Sequence, residues 1–132
     1  VSYFRDCGAL MINAGVDPTQ VYTATEAIIL EVGRMREGVP DDEAESAKRL
    51  VAGRLLLRME DSMAVAAWMG GQELLVGRIA DVDQVVEHVN RVTPQDIADV
   101  ASDLFTTERL NMAVVGPFRG RSRFEKVLNR AL

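Results

Sequence analysis

The sequence predicts an α+β fold, with several helices packed on one face of a small, mainly antiparallel sheet. Three observations lead to this prediction. Short apolar stretches near the start are typical of strands, five segments between residues 17 and 104 carry helix-start signals or helical apolar spacing, and the run Leu110–Val115 is apolar almost throughout. A sheet of three short strands is too small to pack against this many helices. We therefore expect further strands of the same sheet to lie outside this chain.

The first elements are two short strands, predicted at Tyr3–Phe4 and Ala9–Ala14. The segment between them, Arg5–Gly8, is polar and ends in glycine, which is typical of a turn. These residues therefore predict a hairpin at the start of the chain.

The first helix begins with a recognisable cap. Asp17 provides the capping carboxylate, Pro18 suits the first helical position, and Gln20 stands where its side chain reaches back. Gly38 and Pro40 end the helix, because glycine supplies a left-handed position and proline prevents continuation. Its apolar stripe is Val21, Ala24, Ile28, Val32 and Met35.

Two further helices follow. Asp41–Glu60 starts with acidic residues at 41–45, which the helix dipole favours, and its stripe is Ala44, Ala47, Val51, Leu55 and Met59. Ser62–Val76 is rich in alanine and methionine. Gly70-Gly71 weakens this segment and favours a helix break or a close helix contact there.

The remaining elements carry their own start signals. Asp81 with Gln84 opens a fourth helix and Thr93 with Asp96 opens a fifth. Leu110–Val115 is predicted to be a buried strand, and Ser122 to cap a last short helix with Phe124, Val127, Leu128 and Leu132 as its apolar face. The residues expected in the core are Ile28, Val32, Val51, Leu55, Val100 and Val114.

The composition is that of an ordinary globular domain. The 132 residues carry a net charge of −5, with 48% apolar and 27% charged residues, which is enough for one core. We therefore treat residues 1–132 as a single domain, and as a partial one because strands are missing. The uncharged stretch Ser62–Gln72 is far shorter than a membrane span, and the net acidity argues against a nucleic-acid partner.

The residue inventory limits the chemistry. With one histidine and one cysteine, the chain excludes zinc sites built on several histidines or four cysteines, and any internal disulfide. His88 is a possible lone ligand or general base and Cys7 a possible reactive thiol, but both fit better as ordinary residues. The sequence therefore predicts no catalytic, cofactor-binding or metal-binding residue.

Other candidate sites also have simpler explanations. Trp68 with Met63 and Met69 suits core packing better than a cofactor or peptide groove. Gly70-Gly71 follows no strand, which disfavours a phosphate loop, and the acidic residues at 41–45 suit a helix start rather than a metal site. The basic end of the chain suggests anion binding less than a solvated surface; it comprises Arg119, Arg121, Arg123, Lys126 and Arg130.

A series of short motifs spans Tyr3–Pro117, and each of them is weak alone. They are Phe4-x-Asp6-x-Gly8, Gly38-Val39-Pro40, Asp42-Glu43, Ala47-Lys48, Gly53, Leu55, Glu60, Gly77-Arg78-Ile79, Val92–Ile97, Val100-Ala101 and Leu110–Pro117. Their order and spacing resemble the later part of a C-terminal domain in the pitrilysin/insulinase family. The closest branch is that of bacterial homologues of mitochondrial processing peptidase.

The resemblance implies a zinc endopeptidase made of two similar α+β halves that close around a peptide. The first half of such enzymes carries H-x-x-E-H and a distant glutamate ligand, and this chain has no such motif. The second half supplies an Arg and a Tyr in R-E-x-x-G-L-x-Y, a segment that falls just upstream of Val1. No catalytic residue carries over, so the resemblance implies a scaffold that walls the substrate chamber, with zinc in an upstream domain.

Two functions remain open at this point. One is the scaffold portion of a zinc metalloendopeptidase, inactive alone, whose partners are the zinc-bearing N-terminal domain and a peptide substrate. The alternative is a non-catalytic partner subunit or interaction module of the same family; an unrelated helical interaction domain is a weaker third. Isolated, the chain is expected to self-associate. Thirteen arginines against two lysines, one cysteine and no signal peptide favour a bacterial, cytoplasmic protein.

Overall fold

The computed structural model describes residues 1–128 and is mostly helical, with one small antiparallel sheet. Three 3₁₀ turns accompany the helices, at Pro18–Gln20, Met35–Glu37 and Thr107–Arg109. The strands and helices, in chain order, are β1 (Ser2–Tyr3), β2 (Gly8–Ala9), α1 (Val21–Arg34), α2 (Asp41–Arg58), α3 (Ser62–Val76), α4 (Val82–Arg91), α5 (Pro94–Leu104) and α6 (Ser122–Leu128).

The hairpin at the start is confirmed but shorter than predicted. Ser2 pairs with Ala9 and Tyr3 with Gly8, antiparallel, and the turn is closed by a 2.9 Å bond from the Phe4 N–H to the Cys7 carbonyl. The predicted strand Ala9–Ala14 ends at its first residue, since residues 10–14 form no strand. The apolar side chains of Leu10, Met11 and Ile12 are exposed.

The helix starts follow the predicted caps. At α5, the Thr93 hydroxyl accepts from the Asp96 N–H at 3.1 Å and an Asp96 carboxylate oxygen accepts from the Thr93 N–H at 2.8 Å. Asp81 and Gln84 form the corresponding box at α4. Asp17 caps the 3₁₀ turn that precedes α1 rather than α1 itself.

The chain divides into two compact units. One contains Val1–Asn13 and Asp42–Val92; the other contains Ala14–Asp41 and the residues from Thr93 onward. In the first unit, Ala44 near the start of α2 is the buried apolar residue. In the second, α1 packs against α6, and α5 lies against the turn Met35–Glu37.

The predicted strand Leu110–Val115 is wrong for the described part of the chain. Residues 111–115 belong to no strand, and the two-stranded sheet contains only β1 and β2. The described residues, six helices with one small antiparallel sheet, are compatible with the predicted α+β class, but the predicted third strand is not part of that sheet. A continuous apolar run indicates a strand only when other strands are present to pair with it.

The predicted core is also partly wrong. Ile28, Val32 and Leu55 are half-buried, whereas the other three predicted residues, Val51, Val100 and Val114, are exposed. The buried residues described are Val21, Ile29, Ala44, Ala98, Ala101, Phe124 and Val127. On α5 the small residues Ala98 and Ala101 form the buried face, and the 100° helical step turns Val100 away from it.

The last helix confirms its predicted face in part. Phe124 and Val127 are buried and Leu128 is half-buried, while the predicted Leu132 lies outside the described residues. Within residues 1–128, no helix is both long enough and apolar enough to cross a membrane.

Candidate functional site

His88 lies on the exposed surface of α4. Its ring Nδ1 is 2.6 Å from the carbonyl oxygen of Gln84, one helical turn earlier. Because a carbonyl oxygen only accepts, this contact is a hydrogen bond donated by Nδ1 within the helix. Cys7 is exposed in the hairpin turn. Among residues 1–128, no three His, Cys, Asp or Glu side chains are grouped as metal ligands.

Trp68 lines a cavity of about 480 Å³ in the first unit. Met69 shares this lining, whereas Met63 is exposed at the start of α3, so the predicted Trp–Met cluster forms only in part. The lining is mainly apolar and also includes Met59, Val65, Ile79, Ala80, Asp81 and Val82. An apolar pocket with one carboxylate at its edge suits an apolar side chain, and it contains no reactive group.

The segment that follows α3 contributes Ala80 to the lining of this cavity and is held by hydrogen bonds. Gly77 adopts a left-handed conformation (φ 69°) that ends the helix, and its N–H bonds the Glu73 carbonyl at 3.0 Å. The Gln72 side-chain oxygen then accepts from the Ala80 N–H at 3.0 Å. The Gln72 Nε2 is buried and has no hydrogen-bond partner among the described residues.

The glycine pair in α3 neither breaks the helix nor makes a close contact. Helix Ser62–Val76 continues through Gly70 and Gly71, and a Cβ added at either position meets no atom within 4 Å. The prediction of a break or close contact at this pair is therefore wrong.

Glu45, at the acidic start of α2, forms a salt bridge within the helix. The Lys48 ammonium donates to Glu45 Oε1 at 2.8 Å and to the carbonyl of Asn90 at 3.2 Å. Its hydrogen bond and positive charge lower the pKa of the Glu45 carboxyl. Lys48 thereby links α2 to the end of α4.

The second unit holds an aromatic cluster that the sequence did not predict. The ring centroids of Tyr22 and Phe124 are 4.7 Å apart, and those of Phe118 and Phe124 are 5.5 Å apart. The Arg123 guanidinium lies 3.8 Å from the Tyr22 ring centroid, a cation–π contact. Because Tyr22 is remote in sequence from the other rings, only the apolar pattern of α6 signalled part of this cluster.

The basic end of the chain is divided among separate contacts. Arg123 covers Tyr22, and Arg121 Nε pairs with Glu125 at 2.9 Å. Arg119 and Lys126 are exposed, while Arg130 lies outside the described residues. The described cations therefore do not converge on one anion site.

A second cavity, of about 370 Å³, lies beside the aromatic cluster. Phe118 and Phe124 form one wall and Met112 and Val114 another. A Cβ at Gly116 would lie 2.4 Å from the Phe118 ring, so a larger residue at this position would require that ring to shift. The lining also includes Gly120, Arg121, Glu125 and Leu128.

Comparison with known proteins finds relatives that are named zinc proteases or mitochondrial-processing peptidase subunits. The chain is 32% identical over 121 residues to an uncharacterized zinc protease of Streptomyces coelicolor, covering 91% of this chain and 26% of that protein. It is 28% identical over 117 residues to one of Bacillus subtilis, covering 88% of this chain and 28% of that protein. A probable mitochondrial-processing peptidase subunit alpha-2 of Arabidopsis thaliana is 28% identical over 130 residues. The match covers 98% of this chain and 26% of that protein.

The chain thus spans about a quarter of the length of these relatives. No family model matches it, and no solved structure matches it significantly. The relatives agree with the resemblance indicated by the ordered motifs. The chain belongs to the pitrilysin/insulinase family, to which the ordered motifs and the similarity of nearly its whole length to these relatives both point.

Proposed function

We propose that this chain is the C-terminal scaffold portion of a zinc metalloendopeptidase and helps to wall the chamber that holds a peptide substrate. The observation that carries the proposal is the match of nearly the whole chain to a quarter of each zinc protease. A single histidine and a single cysteine support assigning the zinc and the catalytic groups to another domain of the parent protein. Alone, the chain is inactive.

Within this proposal, residues 1–132 form one partial domain, and the chain's partners are the zinc-bearing domain and the peptide. Nucleic acid and membrane are not partners, and the compartment is the bacterial cytoplasm. The apolar cavity at Trp68 supports contact with apolar side chains, and the chain offers no cluster of metal ligands in residues 1–128. The isolated chain self-associates through the exposed strand region at Tyr3 or 9–14.

The alternative is a non-catalytic partner subunit of the same family. Two relatives carry the word subunit in their names, the Arabidopsis protein and a probable mitochondrial-processing peptidase subunit beta of Schizosaccharomyces pombe. A subunit that contributes only walls and interfaces needs no zinc motif in its own polypeptide. The two functions make different predictions only about the parts of the parent protein that lie outside residues 1–132.

The test uses the complete parent protein. We expect its upstream sequence to contain H-x-x-E-H, and the purified protein to cleave a quenched fluorescent peptide library in a chelator-sensitive manner. The control is the parent with the motif glutamate changed to glutamine, which removes the group that activates water. A parent that contains the motif and cleaves no peptide contradicts the first function, and a parent without the motif selects the partner subunit.

A further inference from the structure

Lys48 joins α2 to the end of α4 across a long stretch of sequence. Its ammonium donates to Glu45 Oε1 at 2.8 Å and to the Asn90 carbonyl at 3.2 Å, and its side chain is 13% exposed. Asn90 lies 42 positions later in the sequence. The other side-chain hydrogen bonds within the first unit, whose residues are all described, join residues at most 8 positions apart. Lys48 is therefore the long-range polar contact that holds the end of α4 to α2.

The carbonyl that Lys48 reaches belongs to the last turn of α4. The last four carbonyls of an α-helix have no partner within the helix, and Asn90 is the residue before the end of α4. The helix dipole also makes this end negative, so a positive charge there is favourable. Lys48 thus caps α4 from another helix, and the cap requires both the donors and the charge of its ammonium group.

Apart from this contact, α4 is packed only shallowly. None of its residues is buried, and the valines of its apolar stripe are all half-buried. They are Val82, Val85, Val86 and Val89. The ion pair between Arg91 and Glu87 is exposed and lies within the helix, so it does not attach α4 to a neighbour. Because segments with few buried apolar contacts open locally more readily than the rest of a protein, the position of α4 depends strongly on Lys48.

The other end of α4 forms part of the wall of the Trp68 cavity. Asp81 and Val82, where α4 begins, line this cavity of about 480 Å³. The bond from the Ala80 N–H to the Gln72 side chain holds this end of α4 to α3. A helix that is attached at one end moves about that end when the contact at its other end is lost. One end of α4 is thus attached beside the cavity, and its other end is held by Lys48.

We propose that α4 is a hinged wall of the Trp68 cavity and that Lys48 is the latch that keeps this wall closed. When the contact between Lys48 and Asn90 breaks, α4 turns about residues 77–81 and uncovers both the cavity and its own valines. Lys48 is a positioning residue, because it acts through α4 and does not line the cavity. The inference does not depend on the proposed function, since it concerns contacts within the first unit alone.

The first test is amide hydrogen exchange of residues 82–91, followed by mass spectrometry. Lys48→Met keeps the apolar stem of the side chain and removes its charge and its donors. We expect exchange in α4 to become about tenfold faster or more, because the loss of a hydrogen bond from a charged group has an effect of that size. Lys48→Arg keeps a charge and donors, and we expect it to restore most of the protection. Equal exchange in Lys48→Met and the unchanged chain overturns the proposal.

The matched control for the exchange experiment is Arg91→Gln. This substitution removes an exposed ion pair from the same helix and leaves the Lys48 contact in place. We expect it to change exchange in α4 by no more than about threefold, because exposed ion pairs contribute little. Helix α5, which belongs to the second unit, is the internal reference. If Lys48→Met accelerates exchange in α4 and α5 alike, the protein unfolds as a whole and the local hinge is overturned.

The second test measures the opening of the cavity from a wall that α4 does not form. Val65 of α3 lines the cavity, so a thiol placed there reacts with a bulky reagent faster when α4 has moved. The chain carries Cys7→Ser and Val65→Cys, and we expect Lys48→Met to raise the labelling rate about tenfold, in step with exchange in α4. Met63→Cys, at a site on α3 that is 77% exposed, is the control and is expected to react equally fast with and without Lys48→Met. A labelling rate of Val65→Cys that Lys48→Met leaves unchanged overturns the hinged wall.

Discussion

Thr93 stabilises the start of α5 through paired bonds with Asp96. Thr93→Ala removes the hydroxyl that accepts from the Asp96 N–H, and we expect it to lower the free energy of unfolding by about 1 kcal/mol. Thr93→Ser is the matched control, because it keeps a hydroxyl at the same position. Urea denaturation of the three proteins checks the prediction, and equal midpoints for alanine and threonine contradict it.

Asp17 gives the chain a defined acid sensitivity. The Thr19 hydroxyl donates to Asp17 Oδ1 at 2.5 Å and the Thr19 N–H donates to it at 2.8 Å; both bonds lower the carboxyl pKa from its ordinary value of 3.8. A lowered pKa in the folded state stabilises the protein above pH 3.8, and this stabilisation is lost as the pH falls through the folded-state pKa.

The prediction at Asp17 is tested by NMR titration of its carboxyl group. We expect a midpoint below 3.8, and a higher midpoint in Thr19→Ala, which keeps the N–H but loses the hydroxyl. Asp17→Asn removes this part of the dependence of stability on pH. A midpoint unaffected by Thr19→Ala shows that the hydroxyl bond does not form in solution.

Single residues were predictable where their contacts are local. The caps at Asp81 and Thr93 were predicted because each partner is three residues away. The contacts of Tyr22 with Phe118 and Phe124 were not predicted, because a local sequence pattern does not indicate which aromatic residues distant in sequence are in contact.

Helix α5 provides the clearest test at the level of an element. Ala101 is 2% exposed and Val100 is 57% exposed, although the two are adjacent in sequence. We expect Ala101→Asp to lower the free energy of unfolding by about 3 kcal/mol, because it buries a charge without a partner. The control Val100→Asp is expected to change it by no more than about 0.5 kcal/mol.

Thermal or urea denaturation distinguishes the two aspartate variants. A larger loss in Val100→Asp than in Ala101→Asp contradicts the buried face of α5 and supports the predicted burial of Val100. Comparable losses in both place the helix between two packed surfaces.

Helices were predicted better than strands. The bounds of Ser62–Val76 follow directly from its residues, because a helix satisfies its hydrogen bonds within itself. The run Leu110–Val115 has the composition of a strand, but a strand forms only when its partners are present. The sequence therefore identified a segment suited to a sheet without indicating whether this chain pairs it.

For the molecule as a whole, the ligand inventory leads to a prediction about metal. We expect purified, tag-free chain to contain only trace zinc, because it has one histidine and one cysteine. Metal analysis by mass spectrometry is the measurement, with the complete parent protein, which the proposed function expects to contain zinc, as the comparison. One tightly bound zinc ion per chain contradicts both the inventory argument and the scaffold assignment.

The exposed hairpin region leads to a second prediction for the whole molecule. Met11 is 63% exposed next to the exposed residues Leu10 and Ile12, and contiguous exposed apolar side chains promote association. We expect a dimer by sedimentation at micromolar concentration, and a shift toward monomer in Met11→Glu. Leu74→Glu, at an exposed site on α3, is the matched control.

The outcome at Leu74 decides between specific and general association. Equal dissociation by both substitutions points to non-specific apolar contact. A monomer at every concentration, with no binding of a hydrophobic dye, contradicts self-association and also the expectation that this chain lacks neighbouring strands.

The second unit is built from two stretches of chain that are separated by α2, α3 and α4. During translation α1 leaves the ribosome first, and its packing partner α6 is made only after those three helices and α5. The surface of α1 that packs against α6 thus stays uncovered until α6 has been made. Nascent chains of this protein are therefore expected to engage chaperones at α1, and codon changes that slow synthesis after α4 to lengthen that engagement.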